Sequence, residues 1–591
     1  GWEFFDKRFL GKPLVFCGTV GSLPVEINGE KGYTKAIKPG DFIVMAGGRI
    51  GKDGIHGATF SSEELHNDSP VQAVQIGDPI TQKKLSDFTY EARDKSLYRF
   101  VTDNGAGGLS SSIGEMATIC GGCRMDLAKA PLKYPGLQPW EILVSESQER
   151  MSYAVPPENW EAFKALAAER EVEVSVLGEF TDDGLFHIQY DEETVSCVSL
   201  EFLHSGYPRL QLKAKWQPPV FSEPELPHEE DIDDILLKLL GRLNICSNEE
   251  KSRQYDHEVK GLSVIKPFVG VGNDISSDAT IYMPEPVSNE GIVLAHGVLP
   301  RYSDVDTYNM AASVIDLAIR RVVAVGGRPD HLAGLDNFCW PDPVQSEKTP
   351  DGEYKLAQLV RANQALYDYT IAFGVPCISG KDSMKNDSTR GGKKISIPPT
   401  LLFSTIGKID NISKALTLDA KRVGDPIYVV GLTKNELGGS ELNNLLNATG
   451  NNAPSVDVEM AKKTYAAMHE AINAEILHSC HTPALGGLAV GFAKVAMGGR
   501  LGMEIDIAKI PVDEDLDPVQ LLFSESNSRF IVTLPANACE CFEEILGDVP
   551  FARVGKVTYD GSLTFYDGDS LENEIALDDM FDAYQRPLSG M

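Results

Sequence analysis

The chain has 591 residues, of which 42% are hydrophobic, so it is long enough for several globular domains with full cores. Its 54 Lys and Arg face 86 Asp and Glu, a net charge of −32, which argues against a general binder of nucleic acid or anionic membranes. No apolar run reaches the roughly 20 residues of a membrane span, and the N-terminus lacks the pattern of a signal peptide, so a cytoplasmic protein is expected. The ten scattered cysteines, including Cys120 and Cys123, are expected to be reduced thiols.

The first third of the chain predicts one α/β domain. A buried strand is predicted over residues 12–21, although no complete domain precedes it. Residues 41–48 predict a strand that ends in glycines, as α/β proteins often have. A helix over 82–96 and a strand over 98–101 follow, and further helix and strand material reaches about residue 203.

The stretch 102–109 carries the strongest chemical signal. It combines the end of an apolar strand, the carboxylate of Asp103, a glycine-rich turn and a helix start. Glycines let backbone N–H groups approach a phosphate at a helix N-terminus, and a nearby carboxylate can hold the magnesium of that phosphate. A second polar segment, residues 145–150, follows the apolar run 140–144. We interpret the two segments as a phosphate-binding site, with two structural turns as the alternative.

The second half predicts a linker and two further domains. Four prolines between residues 217 and 228 indicate a linker, and apolar residues at helical spacing predict a packed amphipathic helix over 231–244. The later predicted elements are strands at 264–272, 279–283, 291–296 and 399–407, helices at 308–325 and 354–373, and a final α/β unit from residue 423 to about 569. Arg390, Lys393 and Lys394 are expected in a solvated loop.

An internal repeat organises the whole chain. Five short motifs recur in the same order, at a spacing that drifts from 386 positions (19 to 405) to 377 positions (181 to 558). The pairs are Thr19-Val20-Gly21 with 405–407, Gly40-Asp41 with 424–425, Gly107-Gly108-Leu109 with 486–488, Ser145-Glu146-Ser147 with 524–526, and the Thr-x-Asp-Gly of 181–184 with 558–561. The chain is therefore predicted to be a tandem duplication whose first copy lacks its front.

The two copies differ where chemistry is expected. Asp103 aligns with Thr482, and Gln148-Glu149 aligns with Asn527-Ser528. Copy one keeps the carboxylate that could bind a metal, and copy two has lost it. This divergence is expected if one site turns over while the other only holds a ligand or shapes the fold.

Six motifs together resemble the formylglycinamide ribonucleotide amidotransferase family, also called phosphoribosylformylglycinamidine synthases. They are Gly-x-x-Gly-Ile-His-Gly-Ala-Thr-Phe at 51–60, Gln-Ile-Gly-Asp-Pro at 75–79, Asp-Asn-Gly-Ala-Gly-Gly at 103–108, Pro-Trp-Glu-Ile at 139–142, Glu-Ser-Gln-Glu-Arg at 146–150 and Gly-Lys-Asp-Ser-Met at 380–384. The resemblance covers essentially the whole chain.

The resemblance implies an α/β (α+β) fold that duplicates an aminoimidazole ribonucleotide synthetase-like unit, each copy having an ATP-binding-type domain and an α/β domain, with the first copy truncated at its start. The implied boundaries are 1–33 for the end of the first ATP-binding-type domain, 34–215 for the first α/β domain, 216–260 for a linker with a helix, 261–410 for the second ATP-binding-type domain and 411–591 for the second α/β domain.

The family's activity is the fourth step of purine synthesis, the ATP-dependent conversion of formylglycinamide ribonucleotide into formylglycinamidine ribonucleotide through an iminophosphate. The resemblance implies ATP and Mg²⁺ as cofactors, ammonia from a glutaminase subunit or domain, and room for a structural ADP in the second cleft. It implies Asp103 and Asp382 as metal ligands, Asp336 and Gly380 as ATP contacts, and Gln75, Glu146, Ser147, Gln148 and Ser383 as substrate contacts.

Two positions keep alternatives open. Shorter family members carry a metal-binding Asn after the glycine that matches Gly380, whereas this chain has Lys381, so the metal role passes to Asp382 in our interpretation. His56 could meet a phosphate or the substrate, or it could be a packed loop histidine.

The resemblance also predicts what this chain needs from elsewhere. The family's catalytic His-Asn-His-Pro motif falls upstream of Gly1, so no catalytic residue is assigned here, and His478-Ser479-Cys480-His481 is no substitute. We therefore expect a partner segment that carries this motif, without which the chain is expected to be inactive. A glutaminase needs a nucleophilic cysteine on a strand-to-helix turn, and the sequence shows no such cysteine. A glutaminase is therefore not expected within this sequence.

Two other function classes remain as alternatives at this stage. One is a non-catalytic nucleotide-binding scaffold. The other is a different ATP-dependent phosphotransferase of the same superfamily, such as selenophosphate synthetase, a thiamine-phosphate enzyme or a hydrogenase-maturation enzyme. Those enzymes are single copies, so the repeat argues against them.

Overall fold

The structure, a computed structural model, describes residues 3–57, 64, 74–254, 257–568 and 570–590. The last three positions of the predicted motif at 51–60 lie outside this described part. The chain divides into two compact units: one contains residues 15–211, and the other joins the chain up to residue 14 to the chain from residue 212 onward. No helix within the described ranges is long and apolar enough to cross a membrane.

The unit of residues 15–211 contains the first α/β domain. Its strands are β1 (Glu26–Ile27), β2 (Glu30–Lys31), β3 (Phe42–Gly47), β4 (Phe100–Asp103), β5 (Cys123–Asp126), β6 (Arg150–Val155), β7 (Val174–Phe180), β8 (Leu185–Tyr190) and β9 (Glu193–Ser199), and its helices are α1 (Pro79–Asp94), α2 (Gly108–Cys120), α3 (Pro139–Val144), α4 (Trp160–Glu169) and α5 (Leu200–Ser205). Seven strands form one sheet in the order β4-β6-β3-β7-β5-β8-β9, in which only β5 and β8 pair in parallel.

The central strand β3 shows why this sheet is buried on both faces. Alternate side chains of a strand point to opposite faces. Ile43 and Met45 belong to one apolar cluster with α2, whereas Val44 and Ala46 belong to a second cluster with α1 and α4. A strand covered on both faces is expected to read as a continuous apolar run, as β3 does.

The other unit begins with a six-stranded sheet flanked by two long helices. Its elements are α6 (Ile232–Leu240), α7 (Glu249–Arg253), β10 (Ser263–Ile265), β11 (Phe268–Val269), β12 (Ile275–Ser276), β13 (Thr280–Tyr282), β14 (Gly291–Val298), α8 (Thr307–Ala324), β15 (Leu332–Cys339), α9 (Gly352–Phe373), β16 (Cys377–Ser383), β17 (Asp387–Arg390), β18 (Lys393–Ser396) and β19 (Thr400–Ile409). The sheet order is β10-β13-β14-β19-β15-β16, so β16 is an edge strand.

The rest of this unit repeats the first α/β domain. Its elements are β20 (Pro426–Val430), α10 (Glu441–Leu445), α11 (Val458–Asn473), β21 (Ser479–His481), α12 (Gly487–Gly499), β22 (Gly502–Asp506), α13 (Pro518–Phe523), β23 (Phe530–Thr533), α14 (Cys539–Leu546), β24 (Phe551–Thr558), β25 (Ser562–Asp567), β26 (Ser570–Ala576) and α15 (Leu577–Gln585). The sheet order β21-β23-β20-β24-β22-β25-β26 matches the first sheet strand for strand, and β22 and β25 are again its parallel pair. The duplication is confirmed.

Individual contacts repeat as well. Gly40 and Gly424 both have φ near 90°, and the N–H of each donates to a backbone carbonyl at 2.8 Å. The hydroxyls of Thr181 and Thr558 each donate to the Asp two positions later, at 2.8 and 2.7 Å. The spacing of 377 found in the sequence therefore joins residues with the same structural role.

Three predictions of secondary structure are wrong. The single strand predicted over 264–272 is two short strands, β10 and β11, which belong to different sheets. Residues 13–24 carry no regular structure, and Val15 is 88% exposed, although 12–21 was predicted to be a buried strand. A strand is stabilised by pairing, and no described strand pairs with this segment. The predicted loop around Arg390, Lys393 and Lys394 is instead the hairpin β17–β18. The ammonium of Lys394 lies 3.6 Å from the fully buried carboxylate of Asp387, which explains why this basic run is ordered.

The predicted linker has no regular structure, whereas the predicted helix after it packs into a core. Residues 211–228 have no helix or strand, as their prolines predict. In α6 five apolar side chains are buried in the large core of this unit, namely Ile232, Ile235, Leu236, Leu239 and Leu240. The helix is therefore a packing element, whereas Leu243 beyond its end is 43% exposed.

Candidate active site

The glycine turn of copy one, residues 103–108, connects β4 to α2. The exposed side chain of Asp103 ends β4 and accepts a hydrogen bond from the N–H of Gly105 at 2.9 Å. Gly107 and Gly108 have φ of 77° and 54°, a left-handed conformation that residues with a Cβ rarely adopt. The N–H of Gly108 donates to the backbone oxygen of Gly105 at 2.9 Å, and no side chain caps α2. The exposed Asp103 carboxylate therefore stands beside a helix N-terminus that has no side-chain cap.

Gly108→Ala is expected to destabilise the unit of residues 15–211 far more than Gly184→Ala. Left-handed backbone costs a residue with a Cβ about 1–2 kcal/mol at either position. Only at Gly108 would a Cβ also lie 2.1 Å from a backbone oxygen, that of Ser145, whereas Gly184 (φ 78°) has nothing within 4 Å. Amide hydrogen exchange of β3 and β6 measures the loss, and equal effects of the two substitutions would contradict the close approach.

The polar turn of copy one, residues 145–150, packs onto the glycine turn through Glu146. One carboxylate oxygen of Glu146 accepts the N–H of Gly107 at 3.3 Å, and the other accepts the side-chain amide of Gln75 at 3.0 Å. The amide of Gln148 donates to the backbone oxygen of Glu146 at 3.0 Å. Three predicted substrate contacts thus lie next to Asp103 in one unit.

Ser147, the remaining predicted contact in this turn, is almost fully buried. Its Oγ accepts the N–H of Gly51 at 3.0 Å and lies 3.1 Å from the Oγ of Ser145. The side chain therefore joins the polar turn to the loop after β3. Its role toward the substrate stays a prediction.

Arg150 is the residue that the sequence-based assignment missed. Its guanidinium donates to the backbone oxygens of Ser147 and Ser145 at 2.7 and 2.5 Å, and burial lowers its pKa to about 10. Arg529 makes the same two contacts in copy two, at 3.0 and 2.6 Å. The repeated spacing Ser-x-Ser-x-x-Arg could have identified this arginine as the residue that holds the polar turn in shape.

The loop after β3 contributes charged and aromatic groups. Burial raises the pKa of Asp53, but the hydrogen bonds from Lys133, 2.9 Å away, and from Ser147 outweigh it, so the pKa lies below its ordinary value. The ring of His56 stacks on Trp140 with centroids 6.3 Å apart and planes 25° apart. His56 is nevertheless exposed and Trp140 is 53% exposed, so both interpretations of His56 stay predictions.

A second group of predicted residues lies on β15 and β16 in the other unit. Asp336 is paired with Gly380 in the parallel register of these strands, and a Cβ on Gly380 would lie 3.1 Å from an Asp336 oxygen. Burial and the negative charge of Asp382 raise the pKa of Asp336. Two carboxylates close together form a site that a divalent metal would fit.

Ser383 ends the same edge strand but points into the protein. Its side chain is almost fully buried, and its Oγ lies 3.1 Å from the side-chain nitrogen of Asn386. The structure therefore gathers the predicted residues into two sets, one in each unit: Gln75, Asp103, Glu146, Ser147 and Gln148 in the first, and Asp336, Gly380, Asp382 and Ser383 in the second.

Asn104 is a further polar residue beside the glycine turn. It is 4% exposed, and its Oδ1 accepts hydrogen bonds from Ser112 and Ser152 at 2.6 and 2.8 Å. Its Nδ2 has no hydrogen-bond partner among the described residues. Copy two has Pro483 at this position, so the repeat gave no signal for Asn104.

The cysteine and histidine motifs take structural roles. All ten cysteines are free thiols, and burial raises the pKa of Cys123 to about 12, so the CxxC pair is not a reactive thiolate. His478 and His481 pair with the carboxylates of Asp425 and Asp278 at 2.6 and 2.9 Å. The described residues contain no cluster of three potential metal ligands.

Comparisons with known proteins agree with this architecture. A family model described as "AIR synthase related protein, C-terminal domain" matches residues 38–191 and 422–568, one match in each copy. The phosphoribosylformylglycinamidine synthase subunit PurL of Thermococcus sibiricus is 32% identical over 94% of this chain and 74% of its own length. The subunit of the same name from Ignicoccus hospitalis is 34% identical over 94% of this chain and 75% of its own length.

Solved structures show the same fold. The structure of Thermotoga maritima PurL complexed with FGAR aligns with a TM-score of 0.62 and 23% identity over 89% of this chain and 73% of that one. The complex of the same protein with ATP aligns with a TM-score of 0.60 and 22% identity. The duplicated fold predicted from the motifs is confirmed.

Proposed function

This chain belongs to the family of the phosphoribosylformylglycinamidine synthase subunit PurL, and from that premise we propose that it converts formylglycinamide ribonucleotide into formylglycinamidine ribonucleotide with ATP and ammonia. The observation that carries the proposal is the glycine turn of copy one, where an exposed carboxylate stands at an uncapped helix N-terminus. The single-copy phosphotransferases are set aside, because the PurL relatives match over both copies.

The chemistry requires an activated amide. An amide carbon is a poor electrophile, so the amide oxygen of the substrate is first phosphorylated by ATP, and ammonia then attacks the iminophosphate and displaces phosphate. Phosphoryl transfer depends on positioning and on neutralising charge, which Mg²⁺ supplies when it is bound. What the chain itself must provide is a rigid set of donors and carboxylates around the reacting groups.

We assign the residues of this chain to these tasks as follows. Asp103 and Asp382 would hold Mg²⁺, and Asp336 and Gly380 would contact ATP. Gln75, Glu146, Ser147, Gln148 and Ser383 would position the ribonucleotide. The fit is supported by the exposed Asp103 carboxylate and by the raised pKa of Asp336, to which burial and the charge of Asp382 contribute.

We further propose that two partners complete the reaction. One is a segment, on the same polypeptide or on another, that carries the family's His-Asn-His-Pro motif, which this sequence does not contain, and the other is a glutaminase that delivers ammonia. The similar structure of PurLQS from Thermotoga maritima supports a role for partner subunits.

One assay separates this function from a non-catalytic scaffold. The chain is mixed with a segment that carries the histidine motif, ATP, Mg²⁺, ammonium and formylglycinamide ribonucleotide, and ADP is measured with and without the ribonucleotide. Substrate-dependent ADP release is expected. Tight ATP binding without such release would favour the scaffold, and ADP release by the chain without the added segment would contradict the requirement for that segment.

A further inference from the structure

The two copies differ in what covers the helix that follows the last strand of each α/β domain. This helix is α5 in copy one and α15 in copy two. The N–H of Leu200 donates to the backbone oxygen of Gly184 at 2.9 Å, and the N–H of Leu577 donates to that of Gly561 at 3.0 Å. The two helices therefore begin at equivalent positions, and the spacing of 377 found in the repeat pairs their side chains one by one.

Three apolar side chains recur in the two copies at this spacing. The pairs are Leu200 with Leu577, Leu203 with Met580, and Tyr207 with Tyr584. In copy two Met580 and Tyr584 are fully buried, whereas in copy one Leu203 is 40% exposed and Tyr207 is 81% exposed. Copy one therefore keeps the apolar residues of a contact that is made only in copy two.

In copy two this contact is made by α6 and the turn after it. The buried apolar side chains of α6 belong to the same cluster as Met580 and Tyr584. A Cβ on Gly241, at the end of α6, would lie 3.6 Å from the backbone oxygen of Ala583 on α15. The N–H of Ser247 donates to the backbone oxygen of Tyr584 at 2.8 Å. An amphipathic helix thus covers α15 by apolar packing, and one backbone hydrogen bond fixes the turn that follows it.

The covering segment of copy two also reaches the glycine turn. A Cβ on Gly486 would lie 3.2 Å from the Cδ1 of Ile245, which stands between α6 and Ser247. Gly486 is the equivalent of Gly107 in copy one. A helix placed on α5 in the same way would therefore bring the chain that follows it to the turn that carries Asp103.

The neighbouring helix gives the copy-one face a polar edge. Val490 and Met497 on α12 of copy two are buried, and the equivalent residues on α2 of copy one are Ser111 and Thr118. The face in copy one is therefore narrower than its counterpart, with an apolar centre on α5 and hydroxyl groups beside it. An apolar centre with a polar rim is the usual composition of an interface with a separate partner.

We propose that the face formed by Leu200, Leu203 and Tyr207 is the docking site for an amphipathic helix of the α6 type, and that this helix belongs to the segment that carries the histidine motif. The docking site follows from the repeat, whereas the choice of segment rests on the proposed function. Burial of the apolar face holds the segment on the unit of residues 15–211. The chain after the docked helix then runs to the glycine turn at 103–108.

The first test measures helix binding without turnover. The probe is a fluorescently labelled peptide with the sequence of residues 232–247, which contains α6 and the turn after it. Fluorescence anisotropy with the whole chain should show saturable binding with a Kd below about 100 µM. Leu203→Asp and Tyr207→Asp should each weaken binding by about 10-fold or more, because a charge replaces an apolar contact. The peptide with Leu236→Asp, which lacks one side chain of the apolar face, should bind no better.

Phe202→Asp is the matched control on the same helix. Phe202 is 63% exposed, but its equivalent in copy two is Asp579, which is exposed rather than covered by α6. The variant should bind the peptide like wild type. A loss as large as that of Tyr207→Asp would show a general apolar patch and overturn the proposal, as would unsaturable binding to wild type. A dimer of the chain that Tyr207→Asp dissociates would make a second copy the occupant and would also overturn it.

The second test identifies the segment that supplies the helix. The segment that carries the histidine motif is titrated into the ADP-release assay with wild type, Tyr207→Asp and Phe202→Asp. Tyr207→Asp should raise the concentration of segment at half-maximal rate by about 10-fold or more and leave the rate at saturating segment unchanged. An unchanged half-maximal concentration would overturn the choice of segment. No ADP release by wild type at any concentration would contradict the proposed function alone, because the peptide test does not depend on turnover.

Discussion

Asp103→Asn is expected to lower turnover of the reconstituted enzyme by about 100-fold or more while leaving the fold intact. The carboxylate is exposed, and its one hydrogen bond among the described residues, from the N–H of Gly105, can be accepted equally by the oxygen of Asn. What Asn cannot supply is the negative charge that a divalent cation needs. Initial rates of ADP formation at several Mg²⁺ concentrations measure the loss, which excess Mg²⁺ should partly restore.

Thr482→Val is the matched control in copy two. Thr482 occupies the same position, but it is buried and its Oγ1 has no partner among the described residues. Replacing an unpartnered hydroxyl by a methyl group of similar size should cost little stability and no activity. Equal loss of turnover in the two variants would refute the division of labour between the copies.

Asp336→Asn is expected to have opposite effects on activity and stability. Turnover should fall by about 100-fold or more, because the proposed ATP site loses a carboxylate next to Gly380. In Mg²⁺-free buffer at pH 7 the variant should nevertheless unfold at a higher temperature than wild type. Burial and the charge of Asp382 raise the pKa of Asp336, so its ionised form opposes folding.

The pH dependence tests the sign of this effect. A carboxyl whose pKa is higher in the folded state binds more protons when folded, so its contribution to stability is lost as pH rises from the unfolded value of about 4 through the folded pKa. The stability advantage of Asp336→Asn should therefore shrink as the pH is lowered toward 4. Asp330→Asn is the control with the opposite sign, since Arg328 lowers the pKa of Asp330. If lowering the pH changed the stability of both variants, relative to wild type, in the same direction, the raised pKa of Asp336 beside Asp382 would be contradicted.

Local chemistry explains what could be predicted without coordinates. Gly107 and Gly108 adopt left-handed backbone that only glycine tolerates well, so a Gly-Gly pair before an apolar helix signals a tight turn wherever it occurs. Such positions change slowly in a duplicated chain, which is why the spacing of 379 relates Gly107 to Gly486 and Arg150 to Arg529. A tight turn before an apolar run predicts that a helix begins there, and α2 does begin at Gly108.

Two predictions of secondary structure failed for different reasons. An apolar segment at 12–21 has the composition of a strand, but composition cannot supply the neighbour that a strand needs. The basic residues at 390–394 belong to a hairpin in which Lys394 meets Asp387, only seven positions earlier. The first outcome is not encoded in a local pattern, whereas the second is.

The sequence by itself determined that the chain is a duplicated α/β protein of the PurL family and that only copy one keeps an acid at the glycine turn. Those properties could be predicted because each depends on the residue types at a few neighbouring positions, such as a glycine that permits left-handed backbone or a single acid replaced by threonine. Only the tertiary structure decided how residues 524–529 of copy two are held, because their contacts join residues 207 positions apart in Arg320 and Asn527 and 223 positions apart in Tyr302 and Glu525. Burial and charge compensation arise from such distant contacts, which sequence spacing does not reveal.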